Sequence, residues 1–195
     1  MDEIGNAYDA EATAAERLLG TAVSPDDPDR AIIEPWANTV AGPILDVGSG
    51  TGRWTGHLVQ RGHDVTGLEP AERLLRIARK SHPAVRFCHG SISDLVLAER
   101  RWVGILAWYS VIHMGPDELP TALATLQQAL DPNGTMLLSF FSGPHLQAFD
   151  HPVAVAYRWP MADMRHALTE AGFEVIDQHG EPSAIHAHMI ARQAR

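Results

Sequence analysis

Three glycines at alternate positions follow directly on a short apolar run, and this junction constrains the fold more than any other feature. Residues 43–47 form the run, Gly48, Gly50 and Gly52 form the turn, and a segment with helical periodicity continues to Gln60. Glycines at such a junction let backbone approach a ligand without Cβ atoms in the way, and the helix N-terminus supplies free N–H groups. The junction predicts a ligand at the carboxyl end of a strand in an α/β sheet.

The rest of the chain alternates short apolar runs with helix-period segments, which predicts a parallel sheet with crossover helices. We expect seven strands, at residues 43–47, 63–68, 84–88, 102–108, 135–141, 173–177 and 185–191. We expect helices at residues 51–60, 70–82, 117–130 and 160–171, and one or two more before residue 42, including residues 29–39. Because 195 residues suit one domain of roughly 100 to 200 residues, we expect a single domain over 1–195 with a helical leader at 1–42.

The composition is that of an ordinary globular protein, with 45% apolar and 20% charged residues. Twenty-four acidic residues against fifteen basic ones give a net charge of −9, which repels phosphate backbones and anionic lipid, so we expect neither nucleic acid nor a membrane as partner. The single cysteine, Cys88, excludes an intrachain disulfide, and residues 1–4 begin no signal segment, so we expect a cytoplasmic chain. Cys88 falls on an expected buried strand, which favours inert packing.

Glu69 ends the second expected strand, 17 residues (69 − 52) beyond the last glycine. An acidic side chain at that position can accept hydrogen bonds from both hydroxyls of a ribose, each contributing roughly 1.5 to 3 kcal/mol. Nicotinamide and flavin sites usually have the spacing G-x-G-x-x-G, whereas this chain has G-x-G-x-G with Arg53 next. The spacing therefore disfavours a dinucleotide, although it does not exclude one.

The segment Leu45–Gly52 together with Glu69 resembles the class I S-adenosylmethionine-dependent methyltransferases, and the resemblance extends over roughly residues 40–195. It implies a Rossmann-like, doubly wound α/β fold with a seven-stranded, mostly parallel sheet, helices on both faces and an antiparallel last strand. It also implies S-adenosyl-L-methionine as cofactor and S-adenosyl-L-homocysteine as product. The residues that it assigns to cofactor binding are Tyr8, Asp46, Gly48, Ser49, Gly50, Thr51, Gly52, Arg53, Trp54, Glu69, Pro70, Gly90, Ser91, Ile92, Ala107, Trp108 and Tyr109.

Two of the later motifs depart from the family pattern. After the third strand, Ser91 stands where the family usually has Asp in the loop that holds the adenine. In the turn before the fifth strand, Asn133 replaces a glycine, and asparagine tolerates the same left-handed conformation. Only the first departure bears on cofactor recognition, where a smaller polar group would have to serve.

His113 and Tyr109, at the end of the fourth strand, are our candidate catalytic bases for an acceptor with an O–H or N–H group. Two other interpretations remain open: His113 as a satisfied histidine at a strand end, and Tyr109 and Trp108 as core residues. In the segment from Ser142 to Trp159, where the family commonly inserts elements that cover the substrate, His145, Tyr157 and Arg158 are our candidate acceptor-binding residues. An ordered loop that closes the sheet edge is the alternative for this segment.

We expect no metal site. His186 and His188 lie at alternate strand positions, and His145 and His151 add imidazoles, but no third ligand follows at a recognisable spacing. Scattered surface histidines explain this pattern better.

The motifs of several methyltransferase subfamilies are missing, which leaves a small molecule as the expected methyl acceptor. The end of the fourth strand has no Asn/Asp-Pro-Pro-Tyr motif, no Pro-Cys pair is present, and Lys80 is the only lysine. We expect methyl transfer by in-line displacement, in a monomer or a homodimer. A protein that binds S-adenosylmethionine or its product without catalysis is one alternative, and an NAD(P)-dependent oxidoreductase is another.

Overall fold

The computed structural model describes residues 3–97, 101–180 and 185–194, and one mixed sheet organises this part of the chain. Its strands are β1 (Ile44–Val47), β2 (Val65–Glu69), β3 (Arg86–His89), β4 (Trp102–Ala107), β5 (Leu130–Ser142), β6 (Gln147–Phe149), β7 (Ala156–Trp159), β8 (Phe173–His179) and β9 (His186–Gln193). The helices are α1 (Glu3–Leu19), α2 (Arg30–Thr39), α3 (Arg53–Gln60), α4 (Glu72–Ser81), α5 (Leu119–Ala129) and α6 (Met161–Glu170), and a 3₁₀ helix covers Ile92–Leu97.

The strand order confirms the predicted fold. Strands β3, β2, β1, β4 and β5 lie side by side and parallel. The last strand, β9, runs antiparallel between β5 and β8. Two short strands that were not predicted, β6 and β7, lie inside the 142–159 segment. Strand β7 pairs in parallel with the end of β5, through the pairs Phe141–Arg158 and Ser142–Trp159.

Apolar side chains cover both faces of the sheet, as the near-continuous apolar strands predict. Along β1, all four residues are buried, and successive side chains enter opposite cores. Leu45 joins the larger core, built with α5 and α6, whereas Ile44 joins the smaller core, built with α2 and α3 around Trp36 and Leu58. The sheet is therefore covered by helices on both sides.

The leader forms a helix that is docked on the rest of the chain. In α1, Ala12 and Ala15 pack against Ala71 and Leu74 at the start of α4. Asp9 adds polar contacts, because its carboxylate accepts the backbone N–H of Arg73 at 2.6 Å and its carbonyl accepts the Arg73 guanidinium at 2.8 Å. These contacts hold α1 across the carboxyl edge of β2.

Cys88 is exposed, so its predicted burial is wrong. The reason is topological: β3 is an edge strand of the sheet, and only Phe87 of its four residues is buried. Within the described ranges, no helix has the length and apolarity that crossing a bilayer requires.

Candidate functional site

The glycine turn after β1 adopts left-handed backbone at all three glycines, with φ of 66° at Gly48, 58° at Gly50 and 77° at Gly52. At two of the three positions, close packing also leaves no room for a side chain. A Cβ at Gly48 would lie 3.0 Å from the Cβ of Ser110, and one at Gly52 would lie 2.7 Å from Cζ of Phe87. A Cβ at Gly50 would have nothing within 4 Å, so the space beside this residue is open and a ligand can approach its backbone.

Glu69 lies at the end of β2 with its carboxylate turned onto this turn. Oε2 accepts the N–H of Gly50 at 2.7 Å and Oε1 accepts the N–H of Ala71 at 2.8 Å. The side chain is only 3% exposed, and burial raises its pKa to about 7. Asp46 on β1 is equally buried, accepts the hydroxyl of Thr55 at 2.6 Å, and has a pKa raised by burial to about 7.

Two adjoining cavities open at this edge of the sheet. The smaller has a volume of about 390 Å³ and is lined by Glu3, Ile4, Val47, Gly48, Leu68, Pro70, Gly90, Ser91, Ile92, Ser110, His113, Met114 and Glu118. The larger, of about 910 Å³, shares the loop Gly90–Ile92 and extends between the 3₁₀ helix and α5. The structure thus brings the glycine turn, the loop after β3 and His113 around one space.

Ser110 is a lining residue that the sequence analysis did not select. Its hydroxyl is buried and has no hydrogen-bond partner among the described residues. The preceding residue, Tyr109, has a left-handed φ of 57°, which is unusual for a residue with a side chain and redirects the chain as β4 ends. The motif placed Ser110 at the strand end, but nothing in the sequence showed this turn or which side chain faces the cavity.

His113 is 7% exposed and has both ring nitrogens engaged. Nδ1 lies 2.9 Å from the carbonyl oxygen of Val155, so it carries the proton, and Nε2 accepts the hydroxyl of Tyr8 at 3.0 Å. Burial lowers the pKa of His113, which favours the neutral ring, and burial together with the charge of Glu69 raises the pKa of Tyr8 to about 12. Tyr8 therefore remains a donor, and His113 is held as the Nδ1–H tautomer.

Tyr109 and Trp108 point away from the cavities. The Tyr109 hydroxyl hydrogen-bonds Nδ1 of His186 at 2.8 Å, and burial raises the pKa of Tyr109 to about 12, which leaves it a poor base near neutral pH. The indole N–H of Trp108 donates to Asp29 at 2.8 Å. The predicted roles of Tyr109 in catalysis and of both residues in cofactor binding find no support in these contacts.

Arg53 is likewise occupied elsewhere. Its guanidinium lies 3.0 Å from the carboxylate of Asp27 in the segment between α1 and α2, and stacks over the ring of Trp54 at 5.3 Å. Cofactor binding by Arg53 would compete with this ion pair, and its role at the cofactor stays a prediction.

Several other residues predicted to bind the cofactor make contacts within the scaffold. Thr51 donates its hydroxyl to the carbonyl of Gly20 at 2.6 Å, which ties the leader to the turn. The ring of Trp54 is buried in the core beside α2, and Ala107 is buried where β4 ends. Ser49 is buried as well, and its hydroxyl has no partner among the described residues.

The predicted acceptor residues of the 142–159 segment have different surroundings. Tyr157 packs against Gly115, and its backbone N–H donates to Ile112 at 2.8 Å, which joins β7 to the loop that carries His113. Arg158 lies over the ring of Phe149 at 4.4 Å, and His145 is exposed.

His151, in the same segment, lies beside a residue that lines the smaller cavity, because its ring centroid is 5.1 Å from that of His113. Across the described ranges, no cluster of three or more His, Cys, Asp or Glu residues has an arrangement that could hold a metal ion.

The residues around the smaller cavity fit S-adenosylmethionine. The turn has open space at Gly50, Glu69 supplies a carboxylate beside it, and Ser110 lines the cavity with a buried hydroxyl that has no partner among the described residues. The Ser110 hydroxyl would gain a hydrogen bond from a bound ligand.

Comparison with known proteins finds similarity to methyltransferases. Residues 44–134 match the family described as a methyltransferase domain. An uncharacterized methyltransferase of Alkaliphilus oremlandii is 31% identical over 98 residues, which is 50% of this chain and 45% of that protein. The chain thus spans about half the length of the curated relative that it matches.

Two solved structures share the fold over almost the whole chain. The CcbJ methyltransferase from Streptomyces caelestis superposes with a TM-score of 0.78 at 18% identity and covers 100% of both chains. The Burkholderia thailandensis 1,6-didemethyltoxoflavin-N1-methyltransferase, solved with 1,6-didemethyltoxoflavin and S-adenosylhomocysteine, gives 0.73 at 22% identity, over 99% of this chain and 90% of that one. The similarity therefore consists of a methyltransferase-domain match over residues 44–134 and a fold shared with these two methyltransferases.

Proposed function

We propose that this chain transfers the methyl group of S-adenosylmethionine to a small-molecule acceptor and releases S-adenosylhomocysteine. One observation carries the proposal: the Gly48–Gly52 turn, Glu69 and His113 lie close together, because Gly48 and His113 line the smaller cavity and Glu69 accepts the N–H of Gly50. A nucleoside cofactor held by the glycine turn and Glu69 would place its reactive end near His113. Support also comes from the methyltransferase-domain match over residues 44–134.

Glu69 would hold the ribose hydroxyls, and the glycine turn would hold the polar tail of the cofactor, with Ser110 as a further hydrogen-bonding group. Bound there, S-adenosylmethionine supplies a methyl group already activated by a sulfonium for in-line displacement. The protein's task is then to position the acceptor and keep water out. Helix α1, which contributes Glu3 and Ile4 to the cavity lining, covers the site on one side.

His113 would take the proton that an O–H or N–H acceptor loses. The neutral ring has its lone pair at Nε2, and that lone pair already accepts the Tyr8 hydroxyl. An acceptor proton can pass to the Tyr8 oxygen while the Tyr8 proton passes to Nε2, which leaves Tyr8 neutral and His113 protonated. The Val155 carbonyl at Nδ1 stabilises that cation.

The acceptor would bind between α1 and the 142–159 segment, where His151 adjoins His113. A small molecule is supported by the limited space and by the fold shared with a methyltransferase solved with 1,6-didemethyltoxoflavin. The remaining expectations, which are a single-domain organisation, the cytoplasm, no nucleic acid partner and a monomer or homodimer, belong to the same proposal.

A transfer assay with S-adenosylmethionine labelled in its methyl group tests the proposal. The chain is screened against small amines, alcohols, phenols and carboxylic acids, with S-adenosylhomocysteine as inhibitor. We expect label in one acceptor class, suppressed by the product. Tight S-adenosylmethionine binding without transfer to any class would favour a non-catalytic binding protein, and binding of NAD alone would favour an oxidoreductase.

A further inference from the structure

The loop after β3 contains a carboxylate that the sequence motif does not assign. Oδ2 of Asp94 accepts the backbone N–H of Ser91 at 2.7 Å and lies 3.1 Å from the Ser91 hydroxyl, which can donate to it. The chain therefore folds back, and a carboxylate three residues later lies beside the position where Ser91 replaces the family's Asp.

Asp94 borders the same space as the loop Gly90–Ile92. Asp94 lines the larger cavity together with Gly90, Ser91 and Ile92, and these three residues also border the smaller cavity. Its Oδ2 lies 3.2 Å from the point where a Cβ on Gly90 would stand. Oδ2 is used by Ser91, whereas Oδ1 has no partner within the described ranges, and the side chain is exposed to the cavity.

We infer that Asp94 recognises the exocyclic amino group of the cofactor's adenine and so selects a 6-amino purine over a 6-oxo purine. The inference rests on the proposed function, because it requires the purine to lie at the loop after β3. An ionised carboxylate only accepts hydrogen bonds, so it suits an amino group and repels a carbonyl oxygen at the same position. Ser91 acts through Asp94, since its N–H and hydroxyl hold Oδ2 and leave Oδ1 for the ligand.

The substitution Asp94→Asn makes the inference sharply testable. Ser91 donates its N–H, so the amide oxygen of the variant stays on Ser91 and the NH₂ group takes the place of Oδ1. A donor then meets the purine, which disfavours the amino group and favours a carbonyl oxygen. The loop keeps its hydrogen bond to Ser91 N–H, so folding is preserved.

Calorimetric titration compares S-adenosylhomocysteine with S-inosylhomocysteine, in which oxygen replaces the amino group. Loss of one hydrogen bond to a charged group corresponds to roughly 10- to 100-fold in affinity. We expect the wild-type chain to prefer the adenine compound at least ~10-fold and Asp94→Asn to abolish or reverse that preference. Asp117→Asn, which removes a charge from the rim of the same cavity, should retain it.

The preference must depend on Asp94 for the inference to stand. An unchanged preference in Asp94→Asn, or equal binding of both compounds by the wild-type chain, would overturn the inference while S-adenosylhomocysteine binding still upheld the cofactor assignment. No binding of S-adenosylhomocysteine by the wild-type chain would overturn both. A second variant, Ser91→Ala, should reduce the preference without reversing it, because the backbone N–H of residue 91 still holds Oδ2.

Discussion

The hydroxyl of Tyr8 donates a hydrogen bond of 3.0 Å to Nε2 of His113, and the two residues are 105 positions apart in the chain. Their rings also meet edge to face, with centroids 5.5 Å apart. The bond joins the leader helix α1 to the loop that follows β4. The protonation state of the candidate base therefore depends on whether the leader is docked.

Replacing Tyr8 by Phe should raise the pKa of His113. The Tyr8 hydroxyl stabilises the neutral ring by donating to its lone pair, and a net contribution of about 1 kcal/mol corresponds to somewhat under one pKa unit. The ring contact is kept, so the chain should fold normally. NMR titration of the histidines measures the shift, and Tyr157→Phe, whose hydroxyl has no hydrogen-bond partner among the described residues, is the control. An unshifted His113 in the Tyr8 variant would argue against the proton relay.

Gly50→Ala and Gly62→Ala form a matched pair. Both glycines have left-handed backbone, with φ of 58° and 93°, and a Cβ at either would touch nothing within 4 Å. Each alanine should therefore cost about 1 kcal/mol of folding stability. Only the Gly50 variant should lose affinity for S-adenosylhomocysteine, since its methyl group would occupy the open space at the turn where we propose that the cofactor lies. Thermal unfolding and calorimetry measure the two effects, and equal affinities in both variants would contradict the assignment of the turn.

Asp9→Ala should loosen the leader helix. The Asp9 carboxylate accepts the N–H of Arg73 in the first turn of α4, as a capping side chain does, and losing such a cap costs about 1 kcal/mol. Glu11→Ala, at an exposed position of the same helix, should leave stability unchanged. Chemical denaturation measures both variants. Equal midpoints would show that the Asp9 carboxylate does not stabilise the docked leader.

Much of the scaffold was predictable because strand and helix periodicities are local signals. The five parallel strands, the helices between them and Glu69 at the end of β2 were predicted from short stretches of sequence. The strands β6 and β7 were not, since each has only three or four residues and their pairing depends on contacts with distant β5. The exposure of Cys88 depends in the same way on the strand order, which places β3 at the edge of the sheet.

The side-chain geometry of the site was harder to predict than its backbone. The Tyr8–His113 hydrogen bond joins two distant segments, and no local pattern encodes it. Trp108 was assigned to the cofactor from the family resemblance, whereas its indole N–H donates to Asp29, a contact between distant segments that no local pattern encodes. The unpartnered hydroxyl of Ser110 depends on the left-handed backbone at Tyr109, which a sequence of ordinary residues does not announce.

Cofactor affinity should depend on pH through Glu69. Burial raises the pKa of the ligand-free carboxyl from 4.5 to about 7, whereas ribose hydroxyls donate to the ionised form and lower that pKa in the complex. Binding therefore releases a proton below pH 7, and affinity for S-adenosylhomocysteine should rise with pH up to about 7 and then level off. The same raised pKa means that Glu69 destabilises the ligand-free chain as pH rises from 4.5 to about 7. Calorimetry at several pH values measures the profile, and affinity that falls over this range would contradict it.

The central claim is that Glu69 and the glycine turn bind the cofactor's nucleoside, and titration of S-adenosylhomocysteine into the wild-type chain, Glu69→Gln and Glu72→Gln tests it most directly. Glu72 is an exposed carboxylate only three residues away, so it controls for charge. We predict saturable binding to the wild-type and Glu72→Gln chains, and a loss of roughly 10- to 100-fold in Glu69→Gln. Absence of binding to the wild-type chain, or affinity unchanged by Glu69→Gln, would contradict the account.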